Sequence, residues 1–171
     1  MKNYFYLLLT LLFTFATSCS VDKVSDEEFE SIKGSWLLTS WHVNNPVDLN
    51  NDGIATSDFS AGCFTDSNIV FNNEGRGTIF FSSKVEYHTE EENGNITYMV
   101  TCATSTELKP SPISYSVDKD IITIYDEDRI SQLVKENNRL ALTIEGGFIT
   151  RDINTFEITS KQDVTYYFTR P

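Results

Sequence analysis

A chain of 171 residues with 40% apolar content suffices for one ordinary globular domain and is too short for two large ones. Thirteen Lys and Arg against 25 Asp and Glu give a formal net charge of -12, which argues against a nucleic-acid backbone or an anionic membrane surface as the main partner. Only 8 Gly and 4 Pro, beside 12 Phe and 8 Tyr, exclude a disordered, collagenous or disulfide-dense miniature chain and point to an aromatic-rich core.

Lys2 is followed by the run Tyr4 to Ala16, in which Thr10 and Thr14 are the only polar residues. It is too short to span a bilayer and reads as the apolar region of a secretory signal. Ala16-Thr17-Ser18-Cys19 then resembles a bacterial lipoprotein box, with small residues ahead of a cysteine that is lipidated and becomes the mature N-terminus. Ala16 stands where that box usually has Leu. The resemblance implies a signal peptide over 1–18 and a lipid anchor on Cys19, sufficient by itself for stable membrane attachment. Residues 19–30, with Asp22, Asp26, Glu27, Glu28 and Glu30, read as an acidic polar tether, and 31–171 as the folded body. Using Cys19 for the lipid leaves Cys63 and Cys102 as an even pair, expected to oxidise in an envelope compartment.

From Gly34 onward, short runs rich in Val, Ile, Thr, Tyr and Phe alternate apolar with polar, the signature of strands with one wet face. Ile96, Tyr98 and Val100 are one such set, Leu140, Leu142 and Ile144 a second, and Val164, Tyr166 and Phe168 a third. Asn72 to Gly75, Glu92 to Asn95, Asp118 to Asp120 and Glu136 to Asn138 supply turn residues between them. The pattern places strands near 35–43, 67–72, 76–85, 95–102, 113–118, 121–126, 129–136, 139–145 and 163–169, with an extra one over Thr155 to Ile158 and helix confined to one turn before Gly34. Eight or nine short strands joined by tight links hide their edges best as an antiparallel up-and-down β-barrel, with a two-sheet β-sandwich as the alternative.

Gly34-Ser35-Trp36 opens the first strand as the G-x-W motif does in lipocalins, and Arg170 follows Phe168 at the end of the last. The order Gly34 to Trp41, Val47 to Gly53, Cys63, Ile69 to Phe71 and Gly75 resembles the lipocalin-like domain lipoproteins of Gram-negative bacteria. The resemblance covers roughly residues 30–85. It implies a lipocalin-like barrel in which the late arginine packs over the early tryptophan. The helix that lipocalins carry before their last strand is not evident, so ligand-binding residues do not transfer.

Two loops carry candidate chemistry. Asp48, Asn50 and Asp52 at alternate positions before Gly53 resemble the first half of an EF-hand loop, and calcium suits such hard oxygen donors. Ile54 would add its carbonyl and Asp58 a fourth side chain, although Phe59 stands where a bidentate Glu belongs. The plainer alternative is a solvated turn capping its own backbone. The Cys63–Cys102 bridge would tie the long loop after the first strand to the strand at 95–102, with rigidity as its role. His42 within a strand reads as hydrogen-bonded, and His88 beside Glu90, Glu91 and Glu92 as a solvated surface residue.

These readings lead to a lipid-anchored lipoprotein of the cell envelope, at the outer membrane, monomeric and not an enzyme. Its expected ligand is a small apolar molecule lined by aromatics such as Trp41, Tyr98, Tyr115 or Phe168. The alternative is a structural or interaction protein with a filled barrel that contacts an envelope protein or glycan.

Overall fold

The computed structural model describes residues 26–103, 108–127 and 129–171. The apolar leader, Cys19 and the first part of the tether lie outside the described residues, as does Asp128. Elements follow in the order α1 (Asp26–Ile32), β1 (Gly34–Val47), β2 (Thr56–Ser60), a 3-10 turn (Gly62–Phe64), β3 (Asn68–Phe71), β4 (Arg76–Phe80), β5 (Lys84–Glu92) and β6 (Asn95–Ala103). β7 (Ser111–Asp118), β8 (Ile121–Asp126), β9 (Arg129–Glu136), β10 (Arg139–Asp152) and β11 (Ile158–Thr169) complete the chain.

Eight of these strands close a barrel. β11, β1, β3, β4, β7, β8, β9 and β10 lie side by side, and β10 pairs back onto β11. Every one of those pairings is antiparallel, so the barrel is up-and-down and has no free edge at the closing seam. Its inside is set by period-two alternation: Ile113, Tyr115 and Val117 of β7, Ile122 and Ile124 of β8, and Val164 and Phe168 of β11 are buried while their neighbours face water.

One end is plugged. Ile32 at the end of α1 is fully buried, and the indole Nε1 of Trp36 donates to its carbonyl at 2.7 Å. Arg170 lies 4.8 Å over the Trp36 ring and donates to the Ser31 carbonyl at 2.9 Å, so its cation meets both the ring face and the end of the helix. Phe29 packs edge-on to Tyr115 at 5.6 Å, and the Tyr115 hydroxyl donates to the Asn72 carbonyl of the β3–β4 turn. The helix thus runs two turns where one was expected, because Phe29 and Ile32 on one face have a core to enter.

The other end is extended. β1, β10 and β11 run 14, 14 and 12 residues, well past their barrel neighbours. β2 adds to the outer half of β1, and the β5–β6 hairpin, turned at Asn93-Gly94 with both φ positive (53° and 81°), adds to the end of β10. The β5 contact to β10 is parallel and short, Tyr87 to Thr89 against Thr150 to Asp152. Bulges mark the step between the two storeys. At Thr39 the β1 alternation shifts, so that Trp41 and Val43 follow Leu38 inward; at Glu145 to Gly147 β10 gains residues opposite Asp163, whose carboxylate accepts the Gly146 amide at 2.7 Å.

Three expectations are corrected here. The run 76–85 is two strands that separate at Phe81 to Ser83, with β5 leaving the barrel for the hairpin. The last two long strands extend further than their apolar alternation, and Thr155 lies in the turn between them rather than in a strand. β2 was not foreseen.

Candidate functional site

The lower barrel holds no large space, being filled by Trp36, Ile69, Phe71, Leu133, Leu140 and Phe168, all 2% exposed or less. The space lies at the rim. β5 and β10 pair only through Tyr87 to Thr89 in the middle of β5 and Thr150 to Asp152 at the end of β10, and beside this short pairing lies a half-open cleft of about 620 Å³. The core side of its lining is apolar: Phe64, Phe81, Val85, Tyr87, Ile144 and Tyr166. Edge-on contacts of 5.4–6.1 Å join Phe64, Phe81 and Tyr166 into one aromatic wall. The outer side carries Glu86, His88, Gly147, Ile149, Arg151 and Phe156.

Local sequence explains why the gap exists. The Glu145-Gly146-Gly147 bulge bends β10 after its last pairing with β9 at Leu142, and Gly147 leaves its stretch of cleft wall without a side chain. A Cβ at Gly147 would come within 2.7 Å of Val164 and 2.8 Å of Ile144, so glycine is required by packing there. Across the gap, Cys63 in the 3-10 turn is bonded to Cys102 of β6, with Cα atoms 5.7 Å apart. The Asn51 side chain makes a second tie, accepting from the Tyr98 amide and donating to the Tyr98 carbonyl, each at 2.8 Å. The hairpin that forms one bank of the cleft is therefore fastened at its base from outside the barrel.

Electrostatics sort the cleft's polar groups. Glu86 lies 3.0 Å from Lys84, whose ammonium holds its carboxyl below the ordinary range. Arg151 donates to the Phe156 carbonyl at 3.1 Å, and among the described residues no carboxylate forms an ion pair with it. Phe156 has φ +60°, a conformation that costs a bulky residue about 1 kcal/mol or more, yet its ring is 64% exposed and stands edge-on to His88. The Asp152 carboxylate holds that turn by accepting the Asn154 and Thr155 amides, which keep its own pKa low. His88 is corrected from a solvated residue to one whose side chain is only 16% exposed and whose Nδ1 is buried without a hydrogen-bond partner among the described residues.

The two cleft phenols titrate late. Burial pushes Tyr166 up to about 12 from its ordinary 10, and burial, with Tyr166 nearby, pushes Tyr87 higher still. A phenol whose pKa rises on folding supports the fold fully below pH 10 and loses that support as pH climbs through about 12. Ultraviolet titration is expected to show Tyr87 and Tyr166, with Tyr115 whose burial also raises its hydroxyl, ionising late, and Tyr87→Phe with Tyr166→Phe to remove two tyrosines from that late phase.

The other sequence-singled residues fall elsewhere. Gly34, Trp36 and Arg170 build the plugged end. Tyr115 and Phe168 are locked in the barrel core, Tyr98 lies on the hairpin, and Trp41 stacks on Phe59 at 4.2 Å beside a smaller space of about 180 Å³. Asp48 spends both oxygens on the Asp52 and Gly53 amides, Asp52 accepts from Ile54 and Asn50, and Asp58 leaves the loop to pair with His42 at 2.9 Å across β1 and β2. Asp58 is thus drawn away from Asp48, Asn50 and Asp52, and no group of three or more His, Cys, Asp or Glu able to hold a metal occurs among the described residues. The loop caps its own backbone and carries Asn51 to β6. No family model, curated protein or solved structure matches this chain.

Proposed function

We propose that this chain is a lipid-anchored envelope lipoprotein, attached through Cys19 at the outer membrane, whose lipocalin-like barrel binds a small hydrophobic ligand as a monomer. The observation that carries the binding reading is the rim cleft: about 620 Å³ falls in the size range of small-molecule sites, and its core side is aromatic and aliphatic. The binding place is the rim rather than the barrel floor, because the floor is packed. A neutral apolar fluorophore such as phenylnaphthylamine tests it. The disulfide-intact protein is expected to bind the dye with enhanced emission, and Ile149→Trp, which projects a large ring into the cleft, to weaken binding at least about tenfold. Dye binding left unchanged by Ile149→Trp removes the cleft as the site.

A second reading, an interaction protein that contacts an envelope partner, draws on the filled lower barrel and on the outer face of β8 and β9. There Ile121 stands opposite Val134 and Tyr125 opposite Ile130, all four exposed. Nothing about this stripe names a partner, so the ligand reading ranks first.

A further inference from the structure

The rim cleft runs through the sheet instead of lying on one face of it, and this sorts its chemistry. Val85 and Tyr87 of β5 point to the core side while Glu86 and His88 alternate outward. On β10, Phe148 and Thr150 are buried, at 1% each, and Ile149 and Arg151 alternate outward. A molecule entering between the strands therefore meets charged and hydrogen-bonding groups at the lip and a mainly aromatic and aliphatic wall beyond them, in which Ser83 and the Tyr87 and Tyr166 hydroxyls are the polar groups. Glu86 is matched by Lys84 at 3.0 Å and stands 3.8 Å from His88 Nε2, while Arg151 has no carboxylate partner among the described residues and donates to the Phe156 carbonyl, which neutralises nothing. His88 sits across the ladder from Arg151, and Phe156 overhangs the same place in a left-handed conformation.

We infer that the cleft takes a single-chain amphiphile with a carboxylate head, the chain laid against Phe64, Phe81, Ile144 and Tyr166 and the head on the Arg151 guanidinium with His88 beside it. The inference rests on the cleft being a site for apolar ligands and adds the head group to it. The chain's overall charge of -12 does not oppose this at contact range, because charges more than a Debye length, about 8 Å, away are screened at physiological salt. A guanidinium offers two parallel donors to a carboxylate, and such charge-assisted bonds are about twice as strong as neutral ones. Phe156 would close over the neck of the bound molecule.

Dansylundecanoic acid and its methyl ester share chain and fluorophore and differ in head charge. The wild-type, disulfide-intact protein is expected to bind the acid at least about tenfold more tightly than the ester. Arg151→Met is expected to bring the acid down to the affinity of the ester, so that their ratio falls to about one, with circular dichroism and the denaturation midpoint reporting that the fold is intact; Arg151→Lys should keep part of the preference. Equal binding of acid and ester to the wild type, insensitive to Arg151→Met but lost in Ile149→Trp, overturns the head-group inference and leaves the apolar site standing. Failure of both compounds to bind the wild type overturns the two together.

Discussion

Replacing Trp36 with alanine is expected to cost about 4 kcal/mol of folding stability, a large share of the roughly 5–15 kcal/mol that a domain has. The ring is 1% exposed at the plugged end of the barrel, so its removal leaves a cavity that the surrounding strands, fixed by their ladders, fill only in part. The substitution also strips the Ile32 carbonyl of its indole donor and Arg170 of the ring beneath it. The helix α1 loses its purchase on the barrel at the same time. Denaturant unfolding measures the effect. Arg170→Ala, which deletes only the cation and its bond to the Ser31 carbonyl, should cost about 1 kcal/mol and separates the electrostatic part from the packing. A Trp36→Ala protein with an unchanged denaturation midpoint would contradict this account of the plugged end.

The second large effect comes from Cys63→Ala with Cys102→Ala, changed together so that no free thiol remains. Residues 39 apart in sequence are bridged, and the chain-entropy model gives about 4 kcal/mol for a loop of that size. Its consequence should be local where that of Trp36 is global. The β5–β6 hairpin meets the barrel through three parallel register pairs with β10, the Asn51 tie, Thr89 bonds to Thr159 and Ile153, the packing of Tyr87 on Trp41 and Phe148, and this bridge, whose loss loosens the hairpin side remote from β10 first. Hydrogen exchange is expected to rise in β5 and β6 while the amides of β7 to β9 keep their protection, and binding of an apolar dye should weaken. Uniform loss of protection through the barrel would mean that the hairpin and barrel unfold as one unit.

What the sequence made legible follows from where one periodicity rules. Alternation over 113–118, 121–126 and 129–136 gave strands that stand within two residues of those seen, since each has one core face and a tight turn at its end. Cysteine parity pointed to the bridge that exists. The rim was harder, because there the strands break their own period. The Gly146-Gly147 bulge reads in sequence as the end of a strand, and the Thr39 bulge, inside the strand expected over 35–43, shifts which side chains face inward without any mark in the composition. Ser160 to Gln162 looks too polar for a strand, yet Gln162 is 7% exposed and satisfies the backbone of Asn45 through both ends of its amide, at 2.6 and 3.2 Å. Asp48, Asn50 and Asp52 have calcium-like spacing, but spacing does not say that Asp58 leaves them to pair with His42. The cleft itself had no sequence signal, since its walls come from the 3-10 turn, the link from Phe81 to Ser83, β5, β10 and β11, which lie far apart along the chain.

The central claim is that the ligand lies at the rim between β5 and β10 and not inside the barrel. A crystal structure of the disulfide-intact protein with dansylundecanoic acid tests it most directly. The account expects the chain of the probe against Phe81 and Tyr166, with the lower barrel still filled by Trp36, Phe71 and Phe168. Density for the probe on the outer face of β8 and β9, or within a barrel floor that has opened to receive it, would contradict the claim.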